Sequence, residues 1–146
     1  MEHRRANPHF RKILVGFDGS QHADKAVDVA LSLAQSLDCT VLLVAVARPP
    51  EPATLVEVDA ELDNAREHFQ AAFTRVVERA RGMEIEVATD VIAGHPAQQL
   101  VHRAETDHCD LIVLGRRGTS RFEKMLVGSV SEKVMRYAHC PVLVVK

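Results

Sequence analysis

The chain has 146 residues, 47% of them hydrophobic and 26% charged, and 18 Lys and Arg against 20 Asp and Glu give a formal net charge of −2. A chain of this size buries about 70% of its unfolded surface, so one soluble domain needs no disulfide or metal staple, and intrinsic disorder is excluded. The missing basic excess, with only 4% aromatic residues, argues against a nucleic-acid binder, and apolar runs such as Val41 to Ala47 are too short to span a bilayer.

The first recognisable element is Ile13 to Phe17, an apolar run that ends at the turn cluster Asp18-Gly19-Ser20. Such a run suits a strand buried on both faces. Ala23, Ala26, Val27, Ala30, Leu31, Ala34 and Leu37 then recur at helical spacing, with Ser20 placed to cap the helix. Thr40 to Val46 is a second strand. Arg48-Pro49-Pro50-Glu51-Pro52 breaks regular structure, and a surface loop is expected as far as about Val58. Leu62, Ala65, Phe69, Ala72, Phe73, Val76 and Ala80 mark a long amphipathic helix that stops at Gly82. Ile85, Val87, Thr89, Val91 and Ile92 give a third strand, and Gly94-His95-Pro96 turns the chain into a helix through Leu100, Val101 and Ala104. Leu111 to Leu114 is a fourth strand. A glycine-rich loop, a helix from Ser129 to Tyr137 and a fifth strand from Pro141 to Val145 complete the chain. The expected organisation is a flexible arm over 1–10 and a single domain over 11–146.

Strands alternating with helices imply right-handed crossovers and a parallel α/β sheet covered on both faces. Ligands of such sheets bind beyond the carboxyl ends of the strands, where the strand order reverses. The loops after Phe17, Val46, Ala93 and Leu114 therefore form the functional edge. Cys39, Cys109 and Cys140 each precede a strand and fall at the opposite edge. An odd cysteine count without CxxC spacing suggests neither a disulfide framework nor a catalytic thiol. Met1 to Arg11 is polar and basic with no apolar stretch, so no signal peptide is expected and the cytoplasm is the expected compartment.

The segment with the strongest chemical content is Gly115-Arg116-Arg117-Gly118, followed nine residues later by Gly128-Ser129. Glycines permit close backbone approach, and a helix beginning at Ser129-Val130-Ser131 aims free N–H groups and its positive dipole end at an anion. Arg116, Arg117, Arg121 and Lys124 add positive charge. A phosphate site is expected, with Asp18 supplying a carboxylate for ribose hydroxyls or a phosphate-bound metal. The segment is not a Walker A loop, because G-x4-G-K-[ST] is missing. A G-x-G-x-x-G dinucleotide fingerprint after the first strand is missing too.

These residues resemble the universal stress protein family, in its ATP-binding branch. The likeness runs from Ile13 to the end. It is carried by the opening ILVGFDGS, by Gly115-x2-Gly118-x9-Gly128-Ser129 and by the closing GSVSEKVMRYAHCPVLVV. The resemblance implies an open five-stranded parallel sheet in the order 3-2-1-4-5, Rossmann-like, with helices on both faces. It implies ATP, or AMP or ADP, with Mg²⁺ or Mn²⁺ carried by the nucleotide. By matching positions, Asp18 would meet the ribose or the metal with Gly16 nearby, and Val46 would touch adenine. Gly115, Arg116, Arg117 and Gly118 would line the ribose and phosphates, and Gly128, Ser129, Val130 and Ser131 would hold the phosphates. The last strand would pair across a homodimer, and the function would be a stress-response sensor or regulatory module acting on an unidentified protein partner.

Other residues carry less. The eight histidines form no H-x3-H or H-E-x-x-H pair, and His95, alone at the functional edge, reads as a solvated loop residue. No general base stands out near the glycine loop, so turnover is expected to be slow or negligible. A slow ATPase or adenylyl-transfer enzyme is the alternative, weakened because Val15-Gly16-Phe17-Asp18-Gly19-Ser20 lacks the paired glycines of adenylate-forming loops. An adaptor with a degenerate site is a third reading.

Overall fold

The computed structural model describes residues 9–117 and 128–146. Five parallel strands, β1 (Lys12–Gly16), β2 (Thr40–Ala47), β3 (Val87–Ala93), β4 (Leu111–Gly115) and β5 (Val142–Val145), form one sheet in the order β3-β2-β1-β4-β5. Helices α1 (Gln21–Leu37), α2 (Leu55–Gly82), α3 (Pro96–Thr106) and α4 (Ser129–Tyr137) connect them. The expected fold is the observed one.

β1 lies at the centre, with Val15 opposite Leu43 on one side and Val113 on the other. Its side chains alternate between two cores. Ile13, Val15 and Phe17 pack with α1 and α2, whereas Leu14 joins Leu42, Val44, Ile112 and Leu114 beneath α3 and α4. A slip of one residue would exchange the two sets, so burial on both faces holds the register.

Local sequence accounts for the helices. Ser20 Oγ accepts the Ala23 N–H at 3.1 Å, and α1 buries the alanine-rich stripe from Ala23 to Ala34, which lets it lie close to the sheet. Pro96 occupies the first turn of α3, where a missing N–H costs nothing. The expected loop to Val58 is corrected, because α2 already begins at Leu55. Thr54 Oγ1 accepts the Glu57 N–H at 3.2 Å while Glu57 accepts the Thr54 N–H at 2.7 Å, a reciprocal capping box. The first turn shows no apolar periodicity because its apolar residues face solvent, with Leu55 and Val56 84% and 77% exposed.

Three strand starts shift as well, and β1 begins one residue earlier than expected, at Lys12. β3 begins at Val87, because the Ile85 N–H closes the exit of α2 on the Ala80 carbonyl while its side chain stays buried. β5 begins at Val142, since Pro141 supplies a carbonyl to Ile112 and has no N–H to give in return. At the amino edge, Asp110 accepts the N–H groups of Arg11 and Lys12 at 2.8 and 3.1 Å, and Phe10 packs against the first core.

Candidate functional site: a cleft at the strand-order reversal

After β1 the chain leaves into α1 on one face of the sheet, and after the adjacent β4 it leads to α4 on the other. The two exits diverge and open a crevice at the carboxyl edge, as the topology requires. The crevice has a volume of about 410 Å³, within the range of small-molecule sites.

Gly16, Phe17 and Asp18 form one wall, and Leu114, Gly115 and Arg117 form the opposite one. Val44 and Val46 supply an apolar floor from β2. Gly128, Ser129, Val130 and Ser131 close the end from α4. Tertiary structure therefore gathers Gly16, Asp18, Val46, Gly115, Arg117 and the four α4 residues around one space. Gly118, Arg121 and Lys124 lie outside the described residues.

Arg116 takes a different place. It does not line the cleft; its N–H bonds the Val145 carbonyl at 2.7 Å and its carbonyl accepts the Gly128 N–H at the same distance. Its backbone fastens the end of β5 and the entry of α4 to β4. Ser131 is buried, and its hydroxyl donates to the Gly115 carbonyl at 2.8 Å. What Ser131 offers to a ligand is its backbone N–H.

The entry of α4 is poised for an anion. Gly128 provides no side-chain cap, and the first intrahelical bond runs from the Glu132 N–H to the Gly128 carbonyl at 3.0 Å. The N–H groups of Ser129, Val130 and Ser131 precede that bond, and none has an acceptor among the described residues. They are the open donors of a helix N-terminus, next to Arg117. At α1, by contrast, Ser20 supplies the cap.

Two glycines stand in close approach, Gly16 against the ends of leucine side chains and Gly115 against backbone. A Cβ on Gly16 would stand 2.5 Å from Leu114 Cδ2, and one on Gly115 would stand 2.6 Å from the His22 backbone carbonyl carbon. Asp18 is held by the turn it begins, with Oδ1 accepting the Ser20 N–H at 2.9 Å. It is the one carboxylate lining the cleft among the described residues, which contain no cluster of three or more metal-ligating side chains. A divalent ion would therefore need phosphate oxygens to complete its shell, the usual arrangement for Mg²⁺ with nucleotides.

Sequence reasoning missed eight lining residues: Phe17, Ala23, Val44 and Leu114, and also Arg48, Phe69, Pro96 and Leu100. Arg48 shares the strand parity of Val44 and Val46, so alternation alone pointed to it. Phe69 reads as one more core position of α2. Its contact with Phe17 at 5.9 Å and stacking on Phe73 at 5.8 Å place it at the cleft only through tertiary packing. His95 is half-exposed and pairs with Glu51 at 2.5 Å, tying the proline-rich loop to the start of α3. The cysteines lie at the far edge, where burial pushes the Cys109 thiol up to about 11 and raises those of Cys39 and Cys140. Raised thiols at that edge are poor nucleophiles.

Known proteins share this architecture. A universal stress protein of Methanocaldococcus jannaschii is 35% identical over 140 residues, covering 94% of this chain and 82% of that protein. The structure of the universal stress protein UspA from Lactobacillus plantarum superposes with a TM-score of 0.86 at 26% identity, over 96% of this chain and all of that one. A universal stress protein solved in complex with cAMP superposes with a TM-score of 0.74 at 25% identity, over 94% and 98% of the two chains. The profile of the universal stress protein family matches residues 9–146, and the chain belongs to that family.

Proposed function

We infer that the protein binds an adenine nucleotide, ATP or its hydrolysis products, and acts as a stress-response regulatory module. The observation that carries this reading is the set of three open N–H donors at the start of α4, facing Asp18 across a cleft of nucleotide size. In the bound state the phosphates would sit on Ser129, Val130 and Ser131 N–H groups beside Arg117, with Gly115 allowing close approach. Asp18 would take a ribose hydroxyl or share a Mg²⁺ or Mn²⁺ ion with the phosphates, and Val46 would meet the base. The cAMP complex of a relative supports a nucleotide in this fold. Binding would join the β1 and β4 exits and stabilise one arrangement of the surface, which a protein partner could read.

The reading includes a homodimer paired along β5. All four β5 side chains are half-buried, and the strand forms one edge of the sheet. An open apolar edge is a liability that pairing removes. Calorimetry with ATP and Mg²⁺ on nucleotide-free protein tests the binding. One equivalent bound is expected, and silence at millimolar ATP would sink the reading.

A further inference from the structure

A second cavity of about 710 Å³ adjoins the nucleotide cleft. It runs between α3 and α4, and Arg48, Pro96, Ser129 and Val130 line both spaces. The open N-terminus of α4 therefore stands at the junction. We propose that this groove is a subsite for a second ring-bearing group joined to the bound nucleotide through its phosphates, so that the protein accepts dinucleoside polyphosphates. The proposal rests on the nucleotide reading of the first cleft.

Three observations carry it. The first is the shared wall: a phosphate chain on the α4 N–H groups has one half-ligand space on each side. The second is the chemistry of the lining. His102 and Tyr137 offer ring faces, and Gln98, Glu105 and Lys133 offer donors and acceptors at the spacing of single helix faces. Tyr137 is 62% exposed, an aromatic face left uncovered beside a cavity. A planar heterocycle satisfies both kinds of group, by stacking and by edge hydrogen bonds. The third is position. α3 packs on β2 and against α4, so the groove continues from the nucleotide cleft along the sheet face that carries Leu14, Leu42 and Val44.

Titration calorimetry with ATP and with diadenosine tetraphosphate, on the wild type and on Tyr137→Ala, decides the matter. The dinucleotide is expected to bind about tenfold or more tightly than ATP, the gain of one stacked base. Tyr137→Ala should remove that gain and leave ATP affinity within about twofold. Tyr137 is exposed, so its truncation leaves the fold intact, and an unchanged melting curve verifies this; Lys133→Ala, also on the groove, provides an independent variant. Equal affinity for the two ligands, or an equal loss of both in Tyr137→Ala, would overturn the subsite while leaving the ATP site standing. Failure of ATP itself to bind would remove the first cleft and the subsite together. A dinucleotide preference that vanishes as the protein assembles beyond a dimer would assign the groove to another copy of the chain and overturn the proposal.

Discussion

Gly115→Ala tests whether the cleft depends on the contact between α1 and the end of β4. The added methyl would lie 2.6 Å from the His22 carbonyl carbon and 2.7 Å from its oxygen, and both are backbone atoms. No side-chain rotation relieves such a clash, so the first turn of α1 must move away from the sheet. Overpacking a tight site costs about 1–3 kcal/mol, and a rigid neighbour puts this substitution in the upper part, about 2–3 kcal/mol. For a chain of this length that lowers the melting temperature by about 4–12 °C. The displaced turn carries Ser20 and adjoins Asp18, so ATP affinity should fall about tenfold or more. Gly82→Ala is the control. Its Cβ would meet nothing within 4 Å at the end of α2, and the substitution should stabilise by about 0.5–1 kcal/mol through the unfolded chain. Thermal melts with and without ATP read both variants. A Gly115→Ala protein melting within about 1 °C of wild type, with unchanged ATP affinity, would refute the reasoning.

Ser131→Ala removes the hydroxyl that donates to the Gly115 carbonyl and should cost about 1–2 kcal/mol in urea denaturation, while ATP affinity, which uses the Ser131 N–H, changes less than about twofold. The hydrogen bond from Arg103 holds the Asp107 carboxyl below its ordinary range, with smaller help from Lys12. This contribution is complete above the unfolded carboxylate pKa and is lost as pH falls through the lower folded value. Arg103→Met should therefore return Asp107 toward its ordinary value in an NMR titration and move acid unfolding to higher pH. Cys109, pushed up to about 11 by burial, should resist iodoacetamide at pH 8 in the native protein and react on unfolding. Because its folded pKa is the higher one, its share of stability should decline as pH rises from about 9 toward 11, which alkaline denaturation curves with and without Cys109→Ala would reveal.

The hydrophobic period carried the element order and the parallel sheet. β1 and β4 are apolar on consecutive residues because both of their faces are covered, and α1 shows its buried stripe as spacings of three and four. Where an element packs on little, that signal fails. The first turn of α2 reads as loop in the sequence because Leu55 and Val56 face solvent, although Thr54 and Glu57 hold a local start signal. Chain-level rules point to a ligand edge at the carboxyl ends of the strands, whereas the strand order comes from the family resemblance; together they place Asp18, Gly115 and Ser129 at one edge, where all three line the cleft.

Contacts between distant segments were not legible. Phe69 is separated from the β1 loop by fifty residues of chain, and only the packing of α2 on the first core brings it to the cleft. The opposite fates of Arg116 and Arg117 depend on which neighbour bonds the backbone at the end of β4. The commitment of the Ser131 hydroxyl to Gly115, and the groove between α3 and α4, exist only once the sheet sets the helices side by side. Periodicity records which side of an element is buried. Which groups meet across the resulting space is decided by three-dimensional placement, because those contacts join residues that have no fixed relation along the chain.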